Sequence, residues 1–209
     1  MPNTTLDLTH QNLSTAWVNQ PPVRKLDRSE FAACSVWLTS QLEDWKVAAG
    51  TGDANDWNSK LNVAIGRAEV VECYNGATFT YIDAYAYFYA GKPVALMTIN
   101  NDESKDTLYI EDLVSHPGAK NGGDIMIEYA ANISEQRGFG GKLKLSAVGG
   151  SGAFYRTVGF VGDGVMTLDP ATQPDLWENR GGHWYLNAVW QGRDAARTLA
   201  SYQGLQYRN

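Results

Sequence analysis

The sequence predicts a mixed α/β domain, α+β-like, with a single curved, mostly antiparallel sheet of about six or seven strands and helices on both faces. Two observations favour this class. Apolar residues recur at helical spacing in the first third of the chain, and runs of aromatic and β-branched residues replace them after residue 77. From residue 107 onward such strands alternate with helical stretches, an order that places helices on both sides of one sheet.

The chain of 209 residues is expected to form one domain. Its residues are 44% hydrophobic and 19% charged, which suits a single compact core, and it contains no internal repeat. We assign residues 1–22 to a polar N-terminal arm that ends at Pro21-Pro22, and residues 23–209 to the domain.

Two helices are predicted before the sheet. The first begins at Asp27 or Ser29, both favourable N-terminal caps, and its apolar residues continue at helical spacing to Trp45. The second spans residues 58–74 and ends at Asn75-Gly76, which suits a helix C-terminus. Later helices are predicted at residues 124–137, 152–158 and around 194–202.

Six strands are predicted, each a run of residues that suit a pleated surface and each bounded by turn residues. They span residues 78–89, 94–100, 107–115, 142–148, 160–168 and 183–190. The first two form a hairpin through the turn Ala90–Pro93, and the third follows an acidic loop.

Composition argues against several classes of function. A net charge of -6 at pH 7 disfavours a nucleic acid as the main partner, because phosphate binding needs a surplus of Lys and Arg. No apolar run reaches the roughly 18 residues of a membrane span, and the N-terminus, Met1 to Gln20, lacks a signal-peptide pattern. A cytoplasmic location is therefore expected, with signal-independent export left open. Cys34 and Cys73 match neither a disulfide framework nor a metal site, so no metal is expected.

One run of the sequence has the features of an anion-binding turn. The predicted strand ending at Ser115 leads into a loop with three glycines and then directly into a helix. Backbone N–H groups at a helix start lack partners and attract an anion, and glycine lets a diphosphate approach closely. Lys120 adds positive charge. Two alternatives stay open: Asp124 caps these amides itself, or the turn merely joins strand to helix.

Two motifs at a fixed separation give this run a family resemblance. The first comprises Val114-Ser115-His116-Pro117 and Lys120-Asn121-Gly122-Gly123-Asp124-Ile125, and the second is Phe154-Tyr155-Arg156-Thr157-Val158-Gly159-Phe160. Together they resemble the GNAT superfamily of N-acetyltransferases over roughly residues 80–168. Lys120 stands where that superfamily usually has Arg or Gln, and Ile125 stands where it has Gly or Ala.

The resemblance implies the GNAT fold, in which two parallel strands separate at the centre of the sheet and the pantetheine arm of an acyl-coenzyme A fills the gap. In this chain the separation is expected between residues 109–115 and 143–148. The resemblance also implies a set of residues that bind the acyl-coenzyme A. They are Leu113, Val114, Ser115, Lys120, Asn121, Gly122, Gly123, Asp124 and Ile125. A backbone N–H near Leu113 or Val114 is expected to hold the thioester oxygen.

Glu111 is the candidate base. Transfer of an acyl group to an amine requires that the amine lose a proton, since an alkyl ammonium is mostly protonated at neutral pH. In a regular strand Glu111 shares a face with Leu113 and Ser115, from which its carboxylate could reach the amine. The alternative is a charged residue at a strand edge with no catalytic role.

Tyr155 is the candidate acid. By the resemblance, its phenol protonates the thiolate of the departing coenzyme A. The alternative is an ordinary core aromatic of a short amphipathic helix. His183, at the start of the last predicted strand, is a reserve base, whereas His116 is assigned a turn role in the His-Pro step.

These observations predict an acyl-coenzyme A dependent N-acyltransferase, with acetyl-coenzyme A the first donor to test. The acyl group would pass directly to a primary amine in a ternary complex. The acceptor is expected to be an amine-bearing small molecule, a protein or a peptide, and a homodimer is left open. One alternative is a non-catalytic GNAT-fold binding or regulatory module, which Ile125 favours. Another is an effector or toxin that acetylates a protein or an aminoacyl-tRNA, although the acidic composition disfavours RNA.

Overall fold

A computed structural model describes most of the predicted domain. The described residues are 22–44, 58–59, 61–62, 64–68, 78–101, 106–116, 119, 121–148 and 150–187. The predicted C-terminal helix around residues 194–202 and almost all of the N-terminal arm lie outside these ranges. None of the helices within them has the length and apolarity needed to cross a bilayer.

Nine strands and three complete helices are described in these ranges, and two short 3₁₀ turns accompany them. In chain order they are β1 (Val23–Leu26), α1 (Arg28–Asp44), β2 (Ile82–Tyr89), β3 (Lys92–Asn100), β4 (Leu108–Ser115), α2 (Gly122–Gln136), β5 (Leu143–Ser146), α3 (Gly152–Thr157), β6 (Val161–Asp163), β7 (Val165–Leu168), β8 (Trp177–Asn179) and β9 (Trp184–Leu186). Helical backbone is also described at residues 58–59, 61–62 and 64–68, within the second predicted helix.

The main sheet has seven strands in the order β1-β2-β3-β4-β5-β7-β6. Every neighbouring pair is antiparallel except β4 and β5, which run parallel. The predicted fold class, a mostly antiparallel sheet with one parallel pair at its centre, is therefore confirmed. Parallel neighbours need a crossover between them, and α2 supplies it.

The structure differs from the prediction at three places. The predicted strand 160–168 is two strands, β6 and β7, because Gly164 has a φ of +71° and turns the chain into a tight hairpin. The described part of the last predicted strand, residues 183–187, contains β9, which pairs with β8 in a separate two-stranded sheet. The sequence analysis missed β1, which pairs with β2 at the edge of the main sheet.

Helices cover both faces of the main sheet, as predicted. On one face, α1 buries Phe31, Leu38 and Leu42 against the alternate residues of β2 and β3. The helical segment at residues 58–68 packs on the same face, because Leu61, Ile65 and Ala68 recur at helical spacing and are buried. We call this layer the α1 face. The opposite layer, the α2 face, buries the apolar side of α2 against the other residues of the same strands.

Side chains of α2 bind the backbone of β9. The amide of Asn132 donates to the carbonyl of Trp184 and accepts from its N–H, both at 2.8 Å. Glu128 accepts from the N–H of Leu186 at 2.9 Å, and Glu135 accepts from the indole N–H of Trp184 at 2.9 Å. Asn132 and Glu128 therefore take the place of a neighbouring strand, and Glu135, on the same side of the helix, holds the side chain of Trp184.

Replacing Asn132 should destabilise the fold. Asn132→Ala leaves the buried N–H and carbonyl of Trp184 without their partners, and each such group costs about 1–3 kcal/mol. We expect urea denaturation to show a loss of about 2–4 kcal/mol in the free energy of unfolding. Gln136→Ala, one turn further along α2 and exposed, is the control. A loss no larger for Asn132→Ala than for this control would show that the β9 contacts contribute little.

Candidate active site

Strands β4 and β5 pair over only three residues and then separate. The paired positions are Leu108 with Leu143, Tyr109 with Lys144 and Ile110 with Leu145. Strand β5 ends at Ser146, whereas β4 continues to Ser115. Within the described residues, the stretch of β4 from Glu111 to Ser115 therefore has no strand on its β5 side. This separation lies where the sequence analysis expected it.

A β-bulge at Glu111 marks the start of the separation. Along β3, Thr98 pairs with Asp112 and Ile99 pairs with Ile110, so Glu111 is the extra residue of β4. The bulge reverses the alternation of the strand, because Ile110 packs on the α2 face and Asp112 lies on the α1 face with Thr98.

The bulge corrects the predicted orientation of Glu111. Its side chain is exposed, and its Oε2 lies 3.4 Å from Nδ2 of Asn100, the residue that follows Ile99 and faces the α1 side. Leu113 packs against the core of the α2 face. Glu111 and Leu113 therefore lie on opposite faces, and the prediction that they share one was wrong because it assumed a regular period of two.

The first turn of α2 has no side-chain cap. Asn121 precedes it in the left-handed conformation, with a φ of 60°, and makes no capping hydrogen bond through its side chain. Asp124 lies in this first turn, where burial raises the pKa of its carboxyl group. Ile125 is partly buried against the core of the α2 face. The helix start therefore keeps backbone N–H groups that an anion can use.

The end of β4, the start of α2 and helix α3 meet at two glycines. A Cβ on Gly122 would lie 3.4 Å from Cβ of Ser115, so the helix starts directly against β4. A Cβ on Gly123 would lie 2.7 Å from Cζ of Phe154, which is too close for any larger residue without movement of that ring. The structure thus brings together residues from both sequence motifs.

The ring of Tyr155 is part of the core. The residue is 8% exposed, and its ring centroid lies 5.2 Å from that of Phe154 and 5.5 Å from that of Phe160. The alternative interpretation of Tyr155 as a core aromatic therefore describes its ring correctly. The phenol hydroxyl differs from the ring, because charged groups change its pKa.

Charges from the α1 face act on the phenol of Tyr155. Burial raises the pKa of Tyr155 to about 12, the positive charge of Arg67 opposes that rise, and the negative charge of Asp112 adds to it. A hydrogen bond with Ser151 also opposes the rise. Tyr155 packs on one face of the sheet while Arg67 and Asp112 pair on the other.

Sequence reasoning missed the pair formed by Arg67 and Asp112. Nε of Arg67 lies 2.7 Å from Oδ1 of Asp112, and the Asp112 side chain is only 4% exposed. The sequence analysis gives Asp112 no role. The available signal was its position in the apolar run Leu108–Val114, since a carboxylate buried in such a strand needs a cation.

The remaining predicted residues lie in three different situations. Lys120 lies outside the described residues, so its predicted contact with a diphosphate stays a prediction. Val114 is buried on the α1 face. His183 is exposed in the turn between β8 and β9, near the C-terminal end of α2. That helix is about 22 Å long at 1.5 Å per residue, so the reserve base is not brought to the α2 start.

His116 is buried directly after β4. It is 2% exposed, and its backbone N–H donates to the carbonyl of Val94 at 2.9 Å. Burial lowers the pKa of His116 to about 4, and a hydrogen bond to the backbone of Gln41 partly opposes the shift. The imidazole is therefore neutral at neutral pH and belongs to the packing of this end of the strand.

The neutral state of His116 predicts a loss of stability in acid. The unfolded chain takes up a proton near the ordinary pKa of 6.5, whereas the folded chain does so only near 4, so stability falls as the pH drops through this window. We expect His116→Asn to flatten the dependence of the unfolding free energy on pH by about 2–3 kcal/mol between pH 7 and pH 4. His183→Asn is the exposed control. Identical slopes for wild type and His116→Asn would contradict the assignment.

Solved structures of acetyltransferases are similar to this chain, whereas no protein-family model and no curated protein matches it. A GCN5-related N-acetyltransferase of Rhodopseudomonas palustris is 16% identical, with 73% of this chain and 97% of that one aligned at a TM-score of 0.46. A PaiA N-acetyltransferase of Thermoplasma acidophilum, in complex with coenzyme A, is 13% identical over 69% of this chain and 94% of its own, at 0.41.

A GNAT family acetyltransferase of Brucella melitensis, in complex with acetyl-CoA, is 13% identical over 70% of this chain and 86% of its own, with a TM-score of 0.42.

Proposed function

We propose that the protein is an acyl-coenzyme A dependent N-acyltransferase that transfers the acyl group directly to a primary amine. The observation that carries the proposal is the separation of β4 from β5 beside a helix start without a side-chain cap. Acetyl-coenzyme A is the proposed donor. An amine-bearing small molecule or peptide is the proposed acceptor.

The protein has groups that suit each part of an acyl-coenzyme A, from the diphosphate to the thioester. The unpaired side of β4 from Glu111 to Ser115 provides backbone donors and acceptors that an extended pantetheine arm can use as a strand would. The uncapped first turn of α2 suits a diphosphate, since its N–H groups and the helix dipole favour an anion. A thioester supplies an activated acyl carbon. The protein must then remove a proton from the amine and supply one to the leaving thiolate.

Glu111 is proposed as the base. In the balanced reaction the amine nitrogen forms a bond to the acyl carbon while the bond from that carbon to sulfur breaks. The amine loses a proton, and the exposed carboxylate of Glu111 accepts it directly or through one water. A backbone N–H of β4 near Leu113 or Val114 is proposed to hold the acyl oxygen as negative charge builds on it.

Tyr155 is proposed as the acid. The leaving thiolate needs a proton, and an alkyl thiol has a pKa of about 8.5. Burial raises the pKa of Tyr155 to about 12, which keeps its phenol protonated throughout the physiological range but makes it a weaker acid than the thiol, so the transfer requires that the phenolate be stabilised. The nearby charge of Arg67 stabilises the phenolate that forms when the proton leaves.

A non-catalytic binding module is the second candidate, and one observation favours it. Ile125 packs partly into the core at the helix start, where the resemblance implies Gly or Ala. A bulky side chain there would leave less space for a diphosphate beside the backbone N–H groups of the helix start. In this alternative the protein keeps the fold and the cleft but does not catalyse acyl transfer.

Two variants separate the enzyme from the binding module. Glu111→Gln and Tyr155→Phe each remove one proton-transfer group and keep the shape of the side chain. We expect each to lower kcat by about 100-fold, the lower range for general acid–base catalysis, in a free-thiol assay with a panel of amines. Calorimetry should show acetyl-coenzyme A affinity within about threefold of wild type, since neither change alters backbone donors or the helix start.

Tyr85→Phe and Glu178→Gln are the matched controls. Tyr85 is another buried phenol whose pKa burial raises to about 12, and Glu178 is an exposed carboxylate on β8. Neither control should change turnover. Acetyl-coenzyme A binding by wild type with no acylation of any amine would favour the binding module, and absence of binding would exclude both candidates.

A further inference from the structure

We infer that Arg67 is the positioning residue on the acceptor side of this site. Its guanidinium holds the β4 bulge in the conformation that leaves the carboxylate of Glu111 exposed to solvent. The inference rests on the proposed function and extends it to a residue outside both sequence motifs.

The guanidinium contacts two successive residues of β4 at the bulge. Nε of Arg67 lies 2.7 Å from Oδ1 of Asp112, and Nη2 donates to the backbone carbonyl of Glu111 at 3.4 Å. One planar group therefore restrains the backbone of the extra residue and the side chain of the next one. A bulge has few backbone hydrogen bonds of its own to hold it, so an added contact there has a large effect on geometry.

The helical segment that carries Arg67 is anchored in the core. Leu61, Ile65 and Ala68 are 0%, 5% and 0% exposed, and they pack with Leu96 and Val114 on the α1 face. The Arg67 side chain extends from this layer to the sheet and stays 26% exposed. A side chain carried by a helix that packs on the core holds its partner in a more fixed position than a loop residue does.

The pair also decides which of two neighbouring carboxylates is available. Asp112 is buried and neutralised by Arg67, and its backbone N–H is bound by the hydroxyl of Thr98 at 3.1 Å. Glu111 is exposed, and among the described residues no cation pairs with its carboxylate. Of these two carboxylates, the one that an incoming ammonium can reach from solvent is that of Glu111. The positive charge of Arg67 also opposes the rise in the pKa of Tyr155 that burial causes.

The experiment removes the pair as a unit and compares it with a matched pair elsewhere. Arg67→Met combined with Asp112→Asn leaves no lone buried charge, so the variant is expected to fold. The control combines Arg137→Met with Asp83→Asn, since Arg137 at the end of α2 and Asp83 on β2 form a second ion pair at 2.9 Å. Arg67→Lys keeps the positive charge but cannot bind both groups in the same fixed geometry.

Kinetics and amide exchange should both distinguish the two pairs. We expect the Arg67 double variant to lower kcat by at least about tenfold, with the KM for acetyl-coenzyme A within about threefold of wild type. Arg67→Lys should recover part of that loss, and the control should match wild type. Hydrogen exchange of peptides covering residues 108–116 should speed up in the Arg67 double variant and not in the control.

Each outcome decides the inference. Equal losses of kcat in the two double variants would overturn it, because Arg67 would then support only general stability. Unchanged kcat together with unchanged exchange at residues 108–116 would overturn it as well. If wild type acylates no amine, the proposed function fails, and hydrogen exchange alone decides whether Arg67 holds the bulge. Faster exchange confined to residues 108–116 in the Arg67 double variant supports that role, and unchanged exchange excludes it.

Discussion

The site depends on one irregularity in backbone pairing, the extra residue that β4 carries at Glu111. A strand inside a sheet normally has partners on both sides, because a buried N–H or carbonyl without one is costly. Strand β4 keeps its partners on β3 as far as Ser115, but it keeps those on β5 only as far as Ile110. A bulge bends a strand and increases its twist. The gap that follows leaves backbone groups of the central strand for a ligand.

The same irregularity decides which residues of β4 face each layer of the protein. Ile110 packs on the α2 face, and Asp112, only two residues later, pairs with Arg67 on the α1 face. Tyr155 belongs to the α2 face, yet the charges of Arg67 and Asp112 act on its phenol. A regular sheet separates its faces by a continuous layer of backbone. Here a phenol from one layer and a carboxylate and guanidinium from the other act on one another.

Helix α2 supports the site and the fold with different parts of its length. Its first turn, without a side-chain cap, starts against Ser115 and leaves N–H groups for an anion. Its middle and last turns bind β9 through Glu128, Asn132 and Glu135. Because a helix is stiff over this length, the β9 contacts help to fix the direction in which the first turn points. The hairpin of β8 and β9 is thus linked to the site although it contributes no residue to it.

Local signals determined most of the elements and the two motifs, since apolar periodicity, glycines and helix caps act over a few neighbouring residues. They located the end of β4, the start of α2 and Tyr155. Only the tertiary structure decided the bulge at Glu111, which follows from register with β3, and the pairing of Arg67 with Asp112, which lie far apart in the chain. The partners of β9 were equally beyond local reasoning, because they are β8 and side chains of a distant helix. Periodicity reports the conformation of a segment, whereas register and ion pairs are set by how remote segments pack.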